Sequence, residues 1–279
     1  MPLYTKLSLD LNRVHLPIFF IVAGYLFGYK RFRGGYADQR QFLLDKARRV
    51  LVPYLMVGLL LIALRQGSPG GLVTGYCGHL WFLVIIFECY AVGKLIDFVL
   101  WERRHVQVAA FLIAAICLAL SYFVAFLLGS RFPHYFFFYF GGMLIATVDL
   151  DRLRKWRLLF ATVAVAALVA MVLQALLCDR QLLSLPCSVA LVFSLLIVFR
   201  TSRIDDVSRW TKSLDACSMG IYIVHHIIIQ AVNRTDLLHP VLQTHYYVYP
   251  TMQFVLVMLF SWAFVWALRR YPIARYFGL

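Results

Sequence analysis

The chain has 279 residues, a formal net charge of +14, 62 % hydrophobic residues and only 14 % charged ones. A soluble globular domain carries about 45–50 % apolar and about 25 % charged residues, so a water-soluble enzyme is excluded. Disorder, coiled coil and collagen go with it, because each needs a polarity or a repeat that is absent. The remaining class is all-α: a polytopic transmembrane helix bundle.

Nine apolar segments approach the length needed to span a bilayer, about 20 residues. The first, 14–29, opens on His15, Leu16 and Pro17. The proline reads as a first-turn residue, where a missing N–H costs least. His15 falls at the outer end, where an imidazole meets water. The second segment, 50–64, follows a basic threshold of Lys46, Arg48 and Arg49 and carries Pro53 and Tyr54 just inside. Arg suits phosphate, because its planar fork makes bidentate hydrogen bonds. The plain alternative is cationic anchoring at the cytoplasmic face.

The third segment, 79–100, starts with His79 and Trp81 at the outer interface and carries Glu88 near its middle. Trp81 and Glu88 are seven residues apart and share a helix face. Lys94 and Asp97 are spaced to pair and to snorkel. Segments 106–128, 134–148, 158–177 and 184–199 follow, with no internal repeat and no low-complexity linker. The eighth, 217–232, places Tyr222 and His225 at i, i+3, on one face. The adjacent His226 points about 100° away from His225, so one metal shared by the two is not expected. No metal-binding spacing occurs, and the six cysteines form no CxxC pair, so no metal is expected. The ninth segment is 247–268. One domain, 1–279, is the simplest organisation.

Alternating connections differ sharply in charge. Segments 30–49, 101–105, 149–157, 200–216 and 269–279 hold 20 Lys and Arg, and 1–13, 65–78, 129–133, 178–183 and 233–246 hold 6. The positive-inside rule puts the first set and the C-terminus in the cytoplasm, and the N-terminus outside. It also explains the basic balance without a nucleic-acid partner.

Four segments together resemble the acyltransferase-3 family of bacterial integral-membrane acyltransferases, in its fucose 4-O-acetylase-like branch. They are HLPIFFIVAGYLF (15–27), DKARRVLVPYL (45–55), HLWFLVIIF (79–87) and SMGIYIVHHIII (218–229), with FFFYFGGML (136–144) as a further likeness. The resemblance implies about ten transmembrane helices in the bacterial inner membrane. It implies transfer of an acyl group, usually acetyl from acetyl-CoA, to a hydroxyl of a cell-envelope sugar or exopolysaccharide. Acyl-CoA, the carbohydrate acceptor and the lipid bilayer are then the partners. Lys46 and Arg49, with Arg48 beside them, become contacts to the CoA phosphates, and Tyr222 and His225 match the Tyr-x-x-His of the late helix.

One departure concerns the base. Members of this family begin with a helix carrying an Arg and a His, and nothing here matches it. Residues 1–13 resemble the tail of the external loop that follows such a helix. Nine spans with an external N-terminus agree with a truncation there. A sugar hydroxyl needs a base to attack a thioester, so either His225, His15 or His79 serves or the chain is inactive. Two other classes share this composition: a polytopic transporter or polysaccharide exporter, and a non-catalytic membrane partner. The first calls for broken helices or internal repeats.

Overall fold

The computed structural model describes residues 3–32, 39–64, 67–75, 77–100, 104–123, 132–177, 183–202, 209–234 and 249–272. All regular structure among them is helical. The helices are α1 (Leu3–Phe32), α2 (Gln39–Ala63), α3 (Pro69–Val73), α4 (Trp81–Leu100), α5 (Arg104–Phe123) and α6 (Phe132–Thr147). Then come α7 (Leu150–Lys155), α8 (Arg157–Leu177), α9 (Ser184–Thr201), α10 (Arg209–Arg234) and α11 (Tyr249–Leu268), and a 3₁₀ turn, Gly78–Leu80, precedes α4. Each of the nine apolar segments has its core in a helix. Among the described residues, three stretches are both long and apolar enough to cross a membrane, namely Pro69–Ile96, Arg157–Leu177 and Ser184–Thr201. Val108–Ala119, Cys217–Ala231 and Met252–Leu268 are shorter apolar helices. Much of the connections 129–133, 178–183 and 233–246 lies outside the described residues.

Two details of the first helix differ from expectation. Residues 3–13 are helical, not the remnant of a loop, because no Gly or Pro interrupts the leucine-rich run from Leu3 to Leu16. Pro17 therefore sits inside α1 and not in its first turn. It removes the N–H that would bond the Arg13 carbonyl.

The chain divides into two compact units: Met1–Gln39 with Cys89–Arg203, and Arg40–Glu88 with Ile204–Leu279. In the first unit the core is α6, where every residue from Tyr135 to Met143 is buried. Phe20 of α1 stacks on Tyr135 at 4.5 Å between ring centroids. Further along, Gly24 meets the backbone of Tyr139, and Gly28 meets Met143 and Ala146. The numbers rise together on both helices, so α1 and α6 run parallel. The α9 helix runs parallel to them as well. Its Phe193 packs on Phe137 and Phe138, and its Arg200 donates from Nη1 to the Ile145 carbonyl and from Nη2 to the Val148 carbonyl at 2.8 Å. The Arg200 guanidinium also lies 5.4 Å from the centroid of Tyr25. Arg200 thus ties the C-terminal ends of α6 and α9 to α1.

The α8 helix shows how such a chain distributes its apolar side chains. Ala164, Ala167, Met171, Gln174 and Ala175 are its buried positions, while Leu158 and Leu177 are each 78 % exposed. Three of the five buried positions are alanine, and every leucine of the helix faces outward. A water-soluble helix would reverse this, whereas lipid tolerates it and close helix approach favours it. Gln174 does not break the rule, since its Oε1 accepts from the Leu183 N–H at 3.0 Å and closes the α8–α9 hairpin. Lys94 was expected to snorkel, but it is only 2 % exposed. Its expected pairing with Asp97 falls outside the described side chains.

Candidate active site

The second unit gathers four of the polar residues marked in the sequence analysis or adjacent to them. Its α2 helix ends at Ala63, and the glycine-rich stretch that follows folds back along it. Ser68 caps α3 by accepting from the Gly71 N–H at 3.0 Å. Tyr54 donates to the Leu72 carbonyl at 2.7 Å. The backbone then passes through Gly75 and Gly78 at φ +82° and +55°. Both values lie in the left-handed region, which glycine enters at no steric cost. Those two turns aim the 3₁₀ segment, and with it His79, at α10.

His79 is half-buried and meets three side chains of α10. Its ring centroid lies 6.0 Å from Tyr222, 5.9 Å from His225 and 4.5 Å from His226. The Tyr222 hydroxyl donates to the His79 carbonyl at 2.6 Å. Phe82 closes on the other side of Tyr222 at 4.8 Å.

The hydrogen bonds fix the imidazole tautomers. His79 Nε2 is 3.0 Å from the Ile223 carbonyl. A carbonyl only accepts, so Nε2 carries the hydrogen. In the neutral ring the lone pair then sits on Nδ1, which is enclosed and has no hydrogen-bond partner. By the same logic His225 donates from Nδ1 to the Ile221 carbonyl at 3.1 Å. His226 Nε2 accepts from Gln230 Nε2 at 2.9 Å. Among the described residues no group of three His, Cys, Asp or Glu side chains is disposed to hold a metal ion.

Of the sequence-marked histidines, the fold brings together His79 and His225, with Tyr222 beside both. His15 lies in the other compact unit and is exposed on α1. Lys46, Arg48 and Arg49 share the second unit with His79. Lys46 is half-buried with its Nζ 5.6 Å from the Phe42 ring centroid, and both arginines are exposed. Glu88 Oε2 is enclosed without a hydrogen-bond partner.

Sequence reasoning set His226 aside and did not mark Gln230. The signal was present, because Tyr222, His226 and Gln230 follow one another at four-residue spacing on α10. Excluding a metal shared with His225 did not exclude His226 from a cluster completed by His79.

Helices with lipid-type surfaces and a half-buried Tyr–His cluster, among the described residues, define an all-helical membrane protein. The family model described as an acyltransferase domain matches residues 2–271. The chain belongs to the acyltransferase-3 family. No curated protein and no solved structure matches it.

Proposed function

We propose that the chain is an O-acyltransferase of the bacterial inner membrane, similar to the fucose 4-O-acetylase-like branch of its family. It moves an acetyl or related acyl group from acyl-CoA to a hydroxyl of a cell-envelope or exopolysaccharide sugar. The observation that carries this reading is the state of His79. Its Nε2–H is committed to a backbone carbonyl, and its Nδ1 is enclosed and unpartnered. A base held in one tautomer by a backbone acceptor needs no reorganisation before it takes a proton.

In the reaction, His79 Nδ1 accepts the proton of the acceptor hydroxyl as that oxygen attacks the thioester carbonyl. The C–S bond breaks when the tetrahedral intermediate collapses, and the CoA thiolate takes up a proton on leaving. Tyr222 positions the backbone of His79 through its 2.6 Å hydrogen bond. His225 and His226 wall the imidazole and set its surroundings. Lys46, Arg48 and Arg49 bind the CoA phosphates at the cytoplasmic face, where the C-terminus also lies, with the N-terminus outside. The orientation is supported by the 20-to-6 distribution of basic residues.

The test is His79→Gln in the full chain. Glutamine can still donate to the Ile223 carbonyl but cannot act as a base. The kcat for acetyl transfer from acetyl-CoA should fall by about 10²–10⁴, while KM for acetyl-CoA stays unchanged. An unchanged kcat would refute the assignment.

A further inference from the structure

The junction of α7 and α8 carries a surface that the transfer reaction does not use. Asp149 caps α7 by accepting from the Asp151 N–H at 3.3 Å, and the helix ends at Lys155. Trp156 turns the chain, and its carbonyl accepts from the Phe160 N–H at 3.0 Å to start α8. Around this turn Arg152, Arg154, Lys155 and Arg157 are all exposed. Arg154 lies 3.8 Å from Asp151, an exposed pair that holds the charge only weakly. Arg152, Lys155 and Arg157 meet no carboxylate among the described residues. The N-terminus of α8, a helix of 21 residues, adds its positive dipole end at the same place.

Apolar side chains set this cluster apart from an ordinary solvated charge run. Leu153 is buried and α7 packs on α8 and α9, so the cations sit on an element that the unit holds in place. Trp156 is 58 % exposed, and Leu158 and Leu159 beside it are exposed too. Leu158 begins a stripe at helical spacing that continues through Val165, Val169, Val172 and Leu176, all exposed. The lipid-type surface of α8 therefore runs without a break into Trp156 and its cations. A nucleic acid or an acidic protein would match the charges but not an apolar stripe one bilayer long. Lipid tails match the stripe, and the headgroup layer then lies at its charged end.

We propose that the α7–α8 junction is a docking surface for anionic phospholipid. Trp156 sits at the headgroup boundary, and Arg152, Lys155 and Arg157 lie against the phosphates. A headgroup without net charge would meet the apolar side chains and leave the cations uncompensated. This inference rests neither on the acyl-transfer reading nor on which face of the membrane is cytoplasmic, and it is tested without either.

The full chain is reconstituted in phosphatidylcholine nanodiscs doped with brominated phosphatidylglycerol or with brominated phosphatidylcholine. Bromine on the acyl chain quenches nearby Trp fluorescence, and subtracting the signal of Trp156→Phe isolates Trp156. Brominated phosphatidylglycerol should quench Trp156 saturably at low lipid fraction, and brominated phosphatidylcholine only in proportion to its abundance. The difference should shrink as salt is raised, because exposed charges are screened. Lys155→Gln should need about fivefold more phosphatidylglycerol for half the effect, the factor that one basic residue contributes at an anionic surface. Arg152→Gln/Lys155→Gln/Arg157→Gln should respond to the two lipids alike. Its Tm in neutral detergent should match wild type, because all three side chains are exposed; if it does not, Lys155→Gln alone decides. Equal quenching by the two lipids in wild type would overturn the proposal. Quenching by neither would overturn it as well and leave the patch to a soluble partner. A phosphatidylglycerol preference that survives in the triple variant would move the attraction to other basic segments and refute the assignment.

Discussion

Replacing Gly24 by Ala should wedge α1 away from α6. A Cβ at Gly24 would lie 1.9 Å from the Tyr139 carbonyl oxygen, 2.7 Å from its carbonyl carbon and 3.0 Å from its Cα. All three are backbone atoms inside a helix, so no rotamer change relieves the clash. The facing position is as tight, since a Cβ at Gly142 would lie 2.0 Å from the Ile21 carbonyl oxygen. Restoring an ordinary contact requires the helices to part by more than about 1 Å. A gap of about 0.5–1 Å already forfeits a quarter to a half of each dispersion contact along the seam. Overpacking of this kind costs about 1–3 kcal/mol and sometimes more. At about 2–4 °C per kcal/mol, the Tm in neutral detergent should fall by about 2–12 °C. The double variant Gly24→Ala/Gly142→Ala should lose less than the sum of the singles, because the first substitution opens the space that the second needs. Gly70→Ala is the control. It has nothing within 4 Å of its Cβ and should be neutral. A Gly24→Ala protein as stable as wild type, or strict additivity in the double variant, would refute the close-contact seam.

Arg200→Met removes two charge-assisted hydrogen bonds from the end of α6, each worth about 1.5–3 kcal/mol. Thermal unfolding should show a loss of at least that of one bond, and Arg200→Lys, without the fork, should recover only part of it. Arg48→Ala/Arg49→Ala should weaken CoA binding on the order of a hundredfold or more while insertion is unchanged. Equal CoA affinity in a correctly inserted protein would reduce the pair to an anchor. Reporter fusions should place 30–49, 149–157 and 200–216 in the cytoplasm and 65–78 and 233–246 outside. A cytoplasmic signal from 233–246 would contradict the charge-based orientation.

Helix positions were legible because run length and hydrophobicity are local properties. All nine apolar segments have their cores in helices, and the parallel course of α1, α6 and α9 agrees with the alternation implied by the charges. Helix extents were less legible. The polar residues between Leu3 and Leu16 mask a run that nothing breaks, so 3–13 read as a loop. The cluster was half-legible. Tyr222 and His225 share a face by their spacing alone, but the contact from His79 crosses 143 residues to Tyr222. It depends on two positive-φ glycines whose effect on direction has no hydrophobic signature. The α1–α6 seam was hidden for a similar reason. Gly24 and Gly28 suggest close approach, but to which helix is decided by packing over the whole unit. Arg200 reads as one more basic residue at a cytoplasmic end, and only the fold shows its two carbonyl acceptors.

A chain with so few charges can be read through what each enclosed polar atom does. Tyr54, Tyr222, Arg200, His79 Nε2 and His225 Nδ1 all donate to backbone carbonyls. Those bonds fix helices and rings in place, and their loss should register as lost stability. Ser184 Oγ and Ser261 Oγ are enclosed without partners, but a hydroxyl needs only to rotate to reach a carbonyl of its own helix. His79 Nδ1 has no such recourse, because its ring is pinned through the other nitrogen. Glu88 Oε2 and Arg13 Nη1 are likewise enclosed without a hydrogen-bond partner. The ring of His79 is thus positioned by the fold and left unsatisfied by it, and the proposed reading has an acceptor hydroxyl complete that bond.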